Sequence, residues 1–377
     1  MIAPGATLGI LGGGQLGRML AHAAQSLGYR VHIYEPSGPS PAGAAADLET
    51  NAAYEDLSAL TAFARSVDVV TYEFENIPVG PLEAVAGLAP MRPGPGVLRI
   101  CQNRQREKSW LKTNGLPHVA YAEALDGDIA AAVAETGRPC VVKTADFGYD
   151  GKGQMRIDDD AALEQATAIF RGRRCVVEKW VDFEKEISVI CARSGDGEIR
   201  TYPVSENIHS RHILDTTLVP ARIGPDIARK AVLLAEDIAR RLEVVGLLAV
   251  EMFLATSGEL LVNELAPRPH NSGHWSIDGS RTSQFEQHVR AVCGLPLGPA
   301  DAISPTVMVN ILGDAWKAKE DGAGRPDWEA VLSDPAAKLH LYGKPEPRPG
   351  RKMGHFTVRA ADIEGALAKA TVIKGRL

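Results

Sequence analysis

The sequence predicts an α/β fold of two or three domains, on three observations. Short apolar runs alternate with amphipathic stretches through the first hundred residues. A glycine-rich segment at 146–153 separates two apolar runs near the middle. Farther on, apolar runs at 247–254 and 260–265 flank a Ser257-Gly258 turn signal. Strand–helix alternation implies a parallel sheet with helices packed on it. A chain of 377 residues, at roughly 100–200 per domain, sets the domain count.

The elements follow in order. Thr7–Leu11 is an apolar strand ending in Gly12-Gly13-Gly14. A helical pattern over 15–27 stops at Gly28, since glycine is the common helix terminator. Arg30–Tyr34 reads as a strand, 57–66 as a helix and 67–72 as a strand. The Pro/Gly cluster at 90–96 reads as a linker closing a first domain over 1–98. A second domain, 99–300, opens with a polar helix over 102–114, ended by Gly115 and Pro117. Strands are expected at Cys140–Thr144, Gln154–Ile157, 175–181 and 186–193, and helices at 159–170 and 227–242. The hairpin 247–254/260–265 follows. Residues 301–377 read as a small α/β domain with an exposed turn at 345–350.

Composition excludes several classes. Hydrophobic residues make up 45% and charged residues 23%, which supports a sizeable core and rules out wholesale disorder. Lys+Arg is 41 against Asp+Glu 47, a net charge of -6, whereas nucleic-acid binders are usually basic. The longest apolar run, 244–250, contains Gly246 and falls far short of the ~20 residues that span a bilayer. Met1-Ile2-Ala3-Pro4 has no basic n-region, so no secretory signal is expected. No nucleic acid and no membrane are therefore expected as partners. Cys101, Cys140, Cys175, Cys191 and Cys293 are scattered. Free, buried thiols in a reducing cytoplasm are expected, not a zinc or disulfide framework.

Gly12-x-Gly14-x-x-Gly17 after a strand, with Glu35 ending the next, is a dinucleotide fingerprint. Small residues also let any anion approach a helix N-terminus, and they permit tight strand–helix packing. Dinucleotide, another phosphate- or sugar-bearing ligand, and packing alone are the three readings.

The second half of the chain carries phosphate and metal chemistry. Lys143 ends an apolar strand and is followed by Phe147-Gly148-Tyr149-Asp150-Gly151-Lys152-Gly153-Gln154. Such a loop can fold over phosphates and donate backbone N–H groups, with the lysine as a point charge. A two-residue turn at Ser257-Gly258 would put Glu251 directly opposite Glu264. Opposed like charges destabilise a bare sheet, and Mg²⁺ held by carboxylates and phosphate oxygens removes that penalty. A one-residue slip would separate the pair. The polar bend after Glu178-Lys179-Trp180-Val181, with Glu186 beyond it, suits an adenine edge and ribose hydroxyls. Arg268, His270 and Asn271 sit in a Pro-stiffened loop just after Glu264, suited to a small anion.

Together these residues resemble the ATP-grasp enzymes and, among them, the 5-(carboxyamino)imidazole ribonucleotide synthases of purine biosynthesis. The resemblance runs through Gly12-Gly13-Gly14-Gln15-Leu16-Gly17-Arg18-Met19, Thr71-Tyr72-Glu73-Phe74-Glu75-Asn76-Ile77 and the 147–154 loop. It continues through Ser205-Glu206-Asn207-Ile208-His209, residues 263–275 and Lys352-Met353-Gly354-His355. It implies an ATP-grasp architecture with an N-terminal Rossmann-like pre-ATP-grasp domain and a small C-terminal α/β domain. It implies a cytoplasmic homodimer that uses ATP with Mg²⁺, bicarbonate and 5-aminoimidazole ribonucleotide, without biotin or NAD. Bicarbonate would attack the γ-phosphate to give carboxyphosphate, and the substrate's exocyclic amine would capture the carboxyl group.

The resemblance also implies roles. Arg104 and Lys143 would contact ATP phosphates under the loop Gly148, Tyr149, Asp150, Gly151, Lys152, Gly153 and Gln154. Glu178, Lys179, Trp180 and Val181 would bind adenine, Glu186 the ribose, and His209 would approach the nucleotide. Glu251 and Glu264 would hold Mg²⁺, with Asn263 beside them. Arg268, His270, Asn271 and Lys143 would be catalytic. Gln15, Leu16, Glu73, Tyr149, Asp150 and Asn271, with Lys344, Arg351 and Lys352 at the 5′-phosphate, would bind the nucleotide substrate. Three alternatives stand beside this reading, one of them a non-catalytic nucleotide-binding module, against which the whole set Lys143, Glu251, Glu264 and Arg268 argues. A formate-dependent glycinamide ribonucleotide transformylase would share the ATP and metal residues. An NAD-dependent oxidoreductase would rest only on 12–17 and Glu35.

Overall fold

The computed structural model describes residues 1–124, 127–146, 153–316 and 324–377. Strands β1 (Thr7–Leu11), β2 (Arg30–Tyr34), β3 (Leu48–Thr50) and β4 (Val69–Tyr72) form a parallel sheet ordered β3-β2-β1-β4. β1 is buried along its whole length, as a strand covered on both faces must be. Leu8 and Ile10 pack with Leu16 and Leu20 of the helix Gln15–Ser26. Leu11 and Tyr34 pack with Leu60 and Phe63 of the helix Leu57–Arg65 on the other face.

β5 (Tyr121–Ala124), β6 (Cys140–Thr144), β7 (Gln154–Ile157) and β8 (Cys175–Lys179) form an antiparallel sheet ordered β5-β8-β6-β7. The helices Ile129–Thr136 and Asp160–Ile169 cover it through Ile129, Val133 and Ala166.

The largest sheet comprises β9 (Phe183–Arg193), β10 (Ile199–Thr201), β11 (Ser205–Ser210), β12 (Ile213–Val219), β13 (Gly246–Ala255), β14 (Leu260–Ala266), β15 (Thr306–Leu312), β16 (Ala337–Leu341) and β17 (Lys352–Arg359). Its order is β14-β13-β9-β11-β12-β15-β17-β16, with β10 on β9. The C-terminal strands thus continue the central sheet, through the pairing of Thr216–Val219 with residues 306–309. The helix Pro225–Arg241 covers this sheet, laying Ala231, Ala235 and Ile238 over Ile187, Val189 and Cys191. All five cysteines are free and buried. Among the described residues no helix is long and apolar enough to cross a membrane.

Two helices fix how the sheets meet. The expected polar helix spans Arg104–Thr113, capped by the Asn103 side chain accepting from Arg106 N–H. The end of the expected linker becomes a short helix, Pro95–Cys101, with proline in its first turn, where a missing N–H costs nothing. Despite its polar sequence the Arg104–Thr113 helix buries Glu107 and Lys108, because it is wedged between sheets rather than lying on a surface. The helix Gln284–Cys293 is buried on most sides, as an element facing several cores must be. Its His288 accepts from the Leu247 N–H through Nδ1 at 3.1 Å and meets Thr71 Oγ1 through Nε2 at 2.7 Å. One imidazole therefore ties the first sheet to the central one.

That tie makes stability depend on acid. Burial pushes the His288 imidazole down to about 3, against about 6.5 in the unfolded chain. The unfolded state binds the proton first, so stability is full above pH ~6.5 and is lost as pH falls toward the folded value. At pH 5 this one group should cost about 2 kcal/mol. His288→Gln keeps a donor and an acceptor but does not titrate. Its urea midpoint should fall less between pH 7 and pH 5 than that of the wild type. Parallel decline of the two proteins would refute the assignment.

Candidate active site

A cavity of about 1240 Å³ is lined by residues of the two antiparallel sheets, by the start of the Gln15–Ser26 helix and by the segment that follows β4. On the β6–β8 side, Arg104, Lys143, Gln154, Glu178, Lys179, Trp180 and Val181 face it. Gly153 closes the β6–β7 connection with φ +70°, and its carbonyl accepts from Thr144 N–H. Gly148, Tyr149, Asp150, Gly151 and Lys152 lie outside the described residues. Lys143 Nζ sits 2.6 Å from Glu178 Oε2, and Lys108 Nζ 3.7 Å from Glu178 Oε1. Burial alone would raise the Glu178 carboxyl, but Lys108, Lys143 and Arg104 outweigh it and hold it down to about 2. The Glu178 carboxylate is thus a fixed counter-ion to the basic groups. The N–H groups of Lys179 and Trp180 donate to Ala120 and Pro139 carbonyls, and Arg156 lies over the Trp180 ring at 3.9 Å.

The β13–β14 hairpin places Glu251 directly opposite Glu264, but by a different route from the expected two-residue turn. The connection is Thr256-Ser257-Gly258, with Ala255 N–H donating to Glu259 O and Gly258 at φ +85°. Such a three-residue loop shifts the register by one. A bulge then shifts it back between Glu251 and Met252, leaving Asn263 as the extra residue of β14. Bulges re-aim side chains, and here Asn263 and Glu264 both line the cavity beside Glu251. Burial and the Glu264 charge push the Glu251 carboxyl up to about 7. Asn263 Oδ1 is buried without a hydrogen-bond partner. Two opposed carboxylates and an orphaned amide oxygen fit a divalent cation. Among the described residues no group of three or more His, Cys, Asp or Glu could hold a metal. Phosphate oxygens and water would have to complete the shell, as Mg²⁺ prefers.

The loop after β14 brings Arg268, His270 and Asn271 to the cavity. Arg268 donates to Glu75 through Nε and through Nη2 at 2.8 Å, and through Nη1 to its neighbour Pro269 O at 3.1 Å. Burial alone would raise the Glu75 carboxyl, yet the Arg268 guanidinium keeps it below the usual range. His270 Nε2 lies 3.1 Å from Glu251 Oε1. Burial, then Arg268, Lys352 and His209, push this imidazole well below its usual value. Both polar atoms of the Asn271 side chain are buried without a partner, and such groups call for an explanation by a ligand or water.

Glu186 and His209 face each other across the cavity wall at 2.5 Å. Burial would lower the His209 imidazole, but Glu186 holds it above its usual value. At the far end, Gln15, Leu16, Glu73, Lys344, Arg351 and Lys352 complete the lining. Glu73 accepts from the Gly14 N–H at 2.5 Å and the Gly17 N–H at 2.7 Å. The anion at this helix N-terminus is the protein's own carboxylate, which occupies the seat a dinucleotide pyrophosphate would take. Any side chain at Gly14 would collide with it. Lys344 Nζ donates to Lys352 O at 2.8 Å.

Sequence reasoning missed Glu75 and Lys108. Glu75 lies two residues past Glu73 in the irregular segment after β4, all of which lines the cavity from Glu73 to Asn76. Spacing of four from Arg104 puts Lys108 on the same helix face. Arg211, His212 and Arg348 also line the cavity, and no spacing marked them.

The chain carries an ATP-grasp domain, matched over residues 109–285. A ribonucleotide synthetase preATP-grasp domain is matched over 5–102, and a phosphoribosylaminoimidazole carboxylase C-terminal domain over 306–369. It is 48% identical to the N5-carboxyaminoimidazole ribonucleotide synthase of Bacillus subtilis, over 95% of this chain and 92% of that one. An N5-carboxyaminoimidazole ribonucleotide synthetase crystallised with ADP superposes with a TM-score of 0.93 at 44% identity, covering 99% of this chain and 97% of the other. The Aspergillus clavatus synthase, in complex with ADP and 5-aminoimidazole ribonucleotide, does so at 0.89 and 32%, covering 98% and 99%. The chain belongs to the N5-carboxyaminoimidazole ribonucleotide synthase family.

Proposed function

We propose that this chain is an ATP-dependent ligase of purine biosynthesis. It carboxylates the exocyclic amine of 5-aminoimidazole ribonucleotide with bicarbonate, yielding 5-(carboxyamino)imidazole ribonucleotide, ADP and phosphate. The observation that carries the reading is that one cavity brings two sets of groups together. Arg104, Lys143, Glu251 and Glu264 form a phosphate and cation seat. Glu73, Gln15, Lys344, Arg351 and Lys352 form a second seat suited to a nucleotide monophosphate.

Arg104 and Lys143 hold the ATP phosphates, the 178–181 segment takes the adenine, and Glu186 with His209 takes the ribose side. Glu251 and Glu264, with Asn263, would hold Mg²⁺, which supplies charge neutralisation to the phosphate oxygens. Arg268, His270 and Asn271 position bicarbonate, whose oxygen attacks the γ-phosphorus as ADP leaves. Arg268 then faces the carboxyphosphate, from which the substrate amine takes the carboxyl group and phosphate departs. Tyr149 and Asp150 complete the nucleotide seat in this reading. A cytoplasmic homodimer is part of the same proposal.

ADP release measured with 5-aminoimidazole ribonucleotide and bicarbonate, against glycinamide ribonucleotide and formate, tests it. Turnover with the first pair is expected. Turnover with the second pair alone would make the chain a transformylase.

A further inference from the structure

Behind His270 a line of buried hydroxyls and one amide crosses the central sheet. Thr217 Oγ1 on β12 donates to Asn207 Oδ1 on β11 at 3.2 Å. Asn207 Nδ2 donates to Ser188 Oγ on β9 at 2.9 Å. Ser188 Oγ donates to Ser272 Oγ at 2.8 Å, and Ser272 Oγ meets His270 Nδ1 at 2.9 Å. Thr217, Ser188 and Ser272 are fully buried and Asn207 is 6% exposed, so water does not compete for these bonds.

The line has one direction. An amide nitrogen only donates and an amide oxygen only accepts. Each hydroxyl that receives a proton bond from one side spends its own proton on the other. In the last link the Ser272 hydroxyl therefore donates its hydrogen bond to His270 Nδ1. A second donor fixes the same end without regard to hydroxyl rotors, because the Ser272 backbone N–H points at His270 Nδ1 at 3.3 Å. A ring nitrogen that accepts cannot carry the proton, so the proton lies on Nε2, which faces Glu251 Oε1 at 3.1 Å. The backbone of His270 is clamped as well. Gln284 Oε1 accepts its N–H at 2.9 Å and Gln284 Nε2 donates to its carbonyl at 2.7 Å.

We propose that Asn207, Ser188 and Ser272 are positioning residues that hold His270 with its proton on Nε2, directed at Glu251 on the side of the bicarbonate seat, so that the ring turns no bare nitrogen toward that seat. The assignment of that seat rests on the function proposed above. The tautomer itself rests on the hydrogen bonds alone. Partners that set the tautomer and ring direction of a metal-ligating histidine commonly change affinity or activity 10- to 100-fold when removed, and the same order is expected for His270. An imidazole free to place its proton on Nδ1 would offer a lone pair, which repels the bicarbonate oxygens.

The test has two readouts. Nitrogen-15 NMR of histidine-labelled wild type, with His270→Asn used to assign the signals, should show Nε2 protonated and Nδ1 bare. A proton on Nδ1 would overturn the proposal even if every variant failed to fold. Ser272→Ala removes the shorter bond to Nδ1 and leaves only the 3.3 Å backbone donor, so kcat for bicarbonate-dependent ADP release should fall about 10-fold, the low end of that range, with an unchanged KM for ATP. Ser188→Ala should fall less, since the Ser272 hydroxyl stays in place. Both variants at wild-type kcat would overturn the proposal with the function intact. No ADP release by wild type under these substrates would refute the function and leave the NMR to decide the tautomer.

Discussion

Glu264→Gln is expected to abolish metal-dependent ATP turnover while the fold survives. Glu264 pairs with Arg104 at 3.1 Å and its side chain is 33% exposed. A glutamine of the same shape can still accept from Arg104, so little packing is lost. What disappears is one of the two charges facing each other across the β13–β14 ladder. The site then offers a divalent cation one carboxylate, and the affinity gained from cancelling the repulsion is gone. Removing groups that merely support a metal ligand costs about 10- to 100-fold in affinity or activity, so loss of a ligand should exceed ~100-fold in kcat. Steady-state ATPase at several Mg²⁺ concentrations, with thermal melts to check folding, measures it. Undiminished turnover in a folded protein would show that Glu264 holds no metal.

The pair behind that prediction shows how far local sequence reaches. Its opposition follows from the sequence if a two-residue turn is assumed, yet the molecule uses a longer turn and a bulge whose register shifts cancel. Patterning marked which faces are buried, because periodicity is local. It did not mark the bulge, which is written only in the fit of β14 between β13 and the Arg104–Thr113 helix. That helix read as polar because its charges are solvated by other charges rather than by water. Lys108 donates to the Asn263 carbonyl at 2.7 Å, 155 residues away. The His270 line joins segments 84 residues apart at its Ser188–Ser272 link. Such partners are ordinary polar residues in their own windows and acquire meaning only when strands from distant segments are laid side by side. The glycine fingerprint was legible as an anion seat, but the identity of the anion, Glu73, depended on β4 lying next to β1.

Arg268→Ala is expected to lower bicarbonate-dependent phosphate release by about 10²–10³ while ATP still binds. Carboxyphosphate concentrates negative charge beside the Arg268 side chain. A fixed guanidinium there is typically worth ~3–4 kcal/mol of barrier. Pro267 and Pro269 restrict the backbone on either side, and Glu75 holds the Nε and Nη2 edge of the group. That salt bridge complicates the simple variant. Both side chains are nearly buried, at 13% and 15% exposure. Removing one partner of a buried pair costs about 3–5 kcal/mol, because the other charge is left uncompensated. Arg268→Ala should therefore melt at a lower temperature as well as turn over slowly. The double variant Arg268→Ala with Glu75→Gln separates the two effects, since a neutral amide needs no counter-ion. It should recover much of the lost stability and none of the lost turnover. Arg268→Lys restores a point charge but not the planar two-pronged donor, so it should rescue turnover only in part. If the double variant instead regains both stability and wild-type phosphate release, Arg268 serves only to neutralise Glu75 and brace the loop. The stabilisation of carboxyphosphate would then have to come from Asn271 and His270.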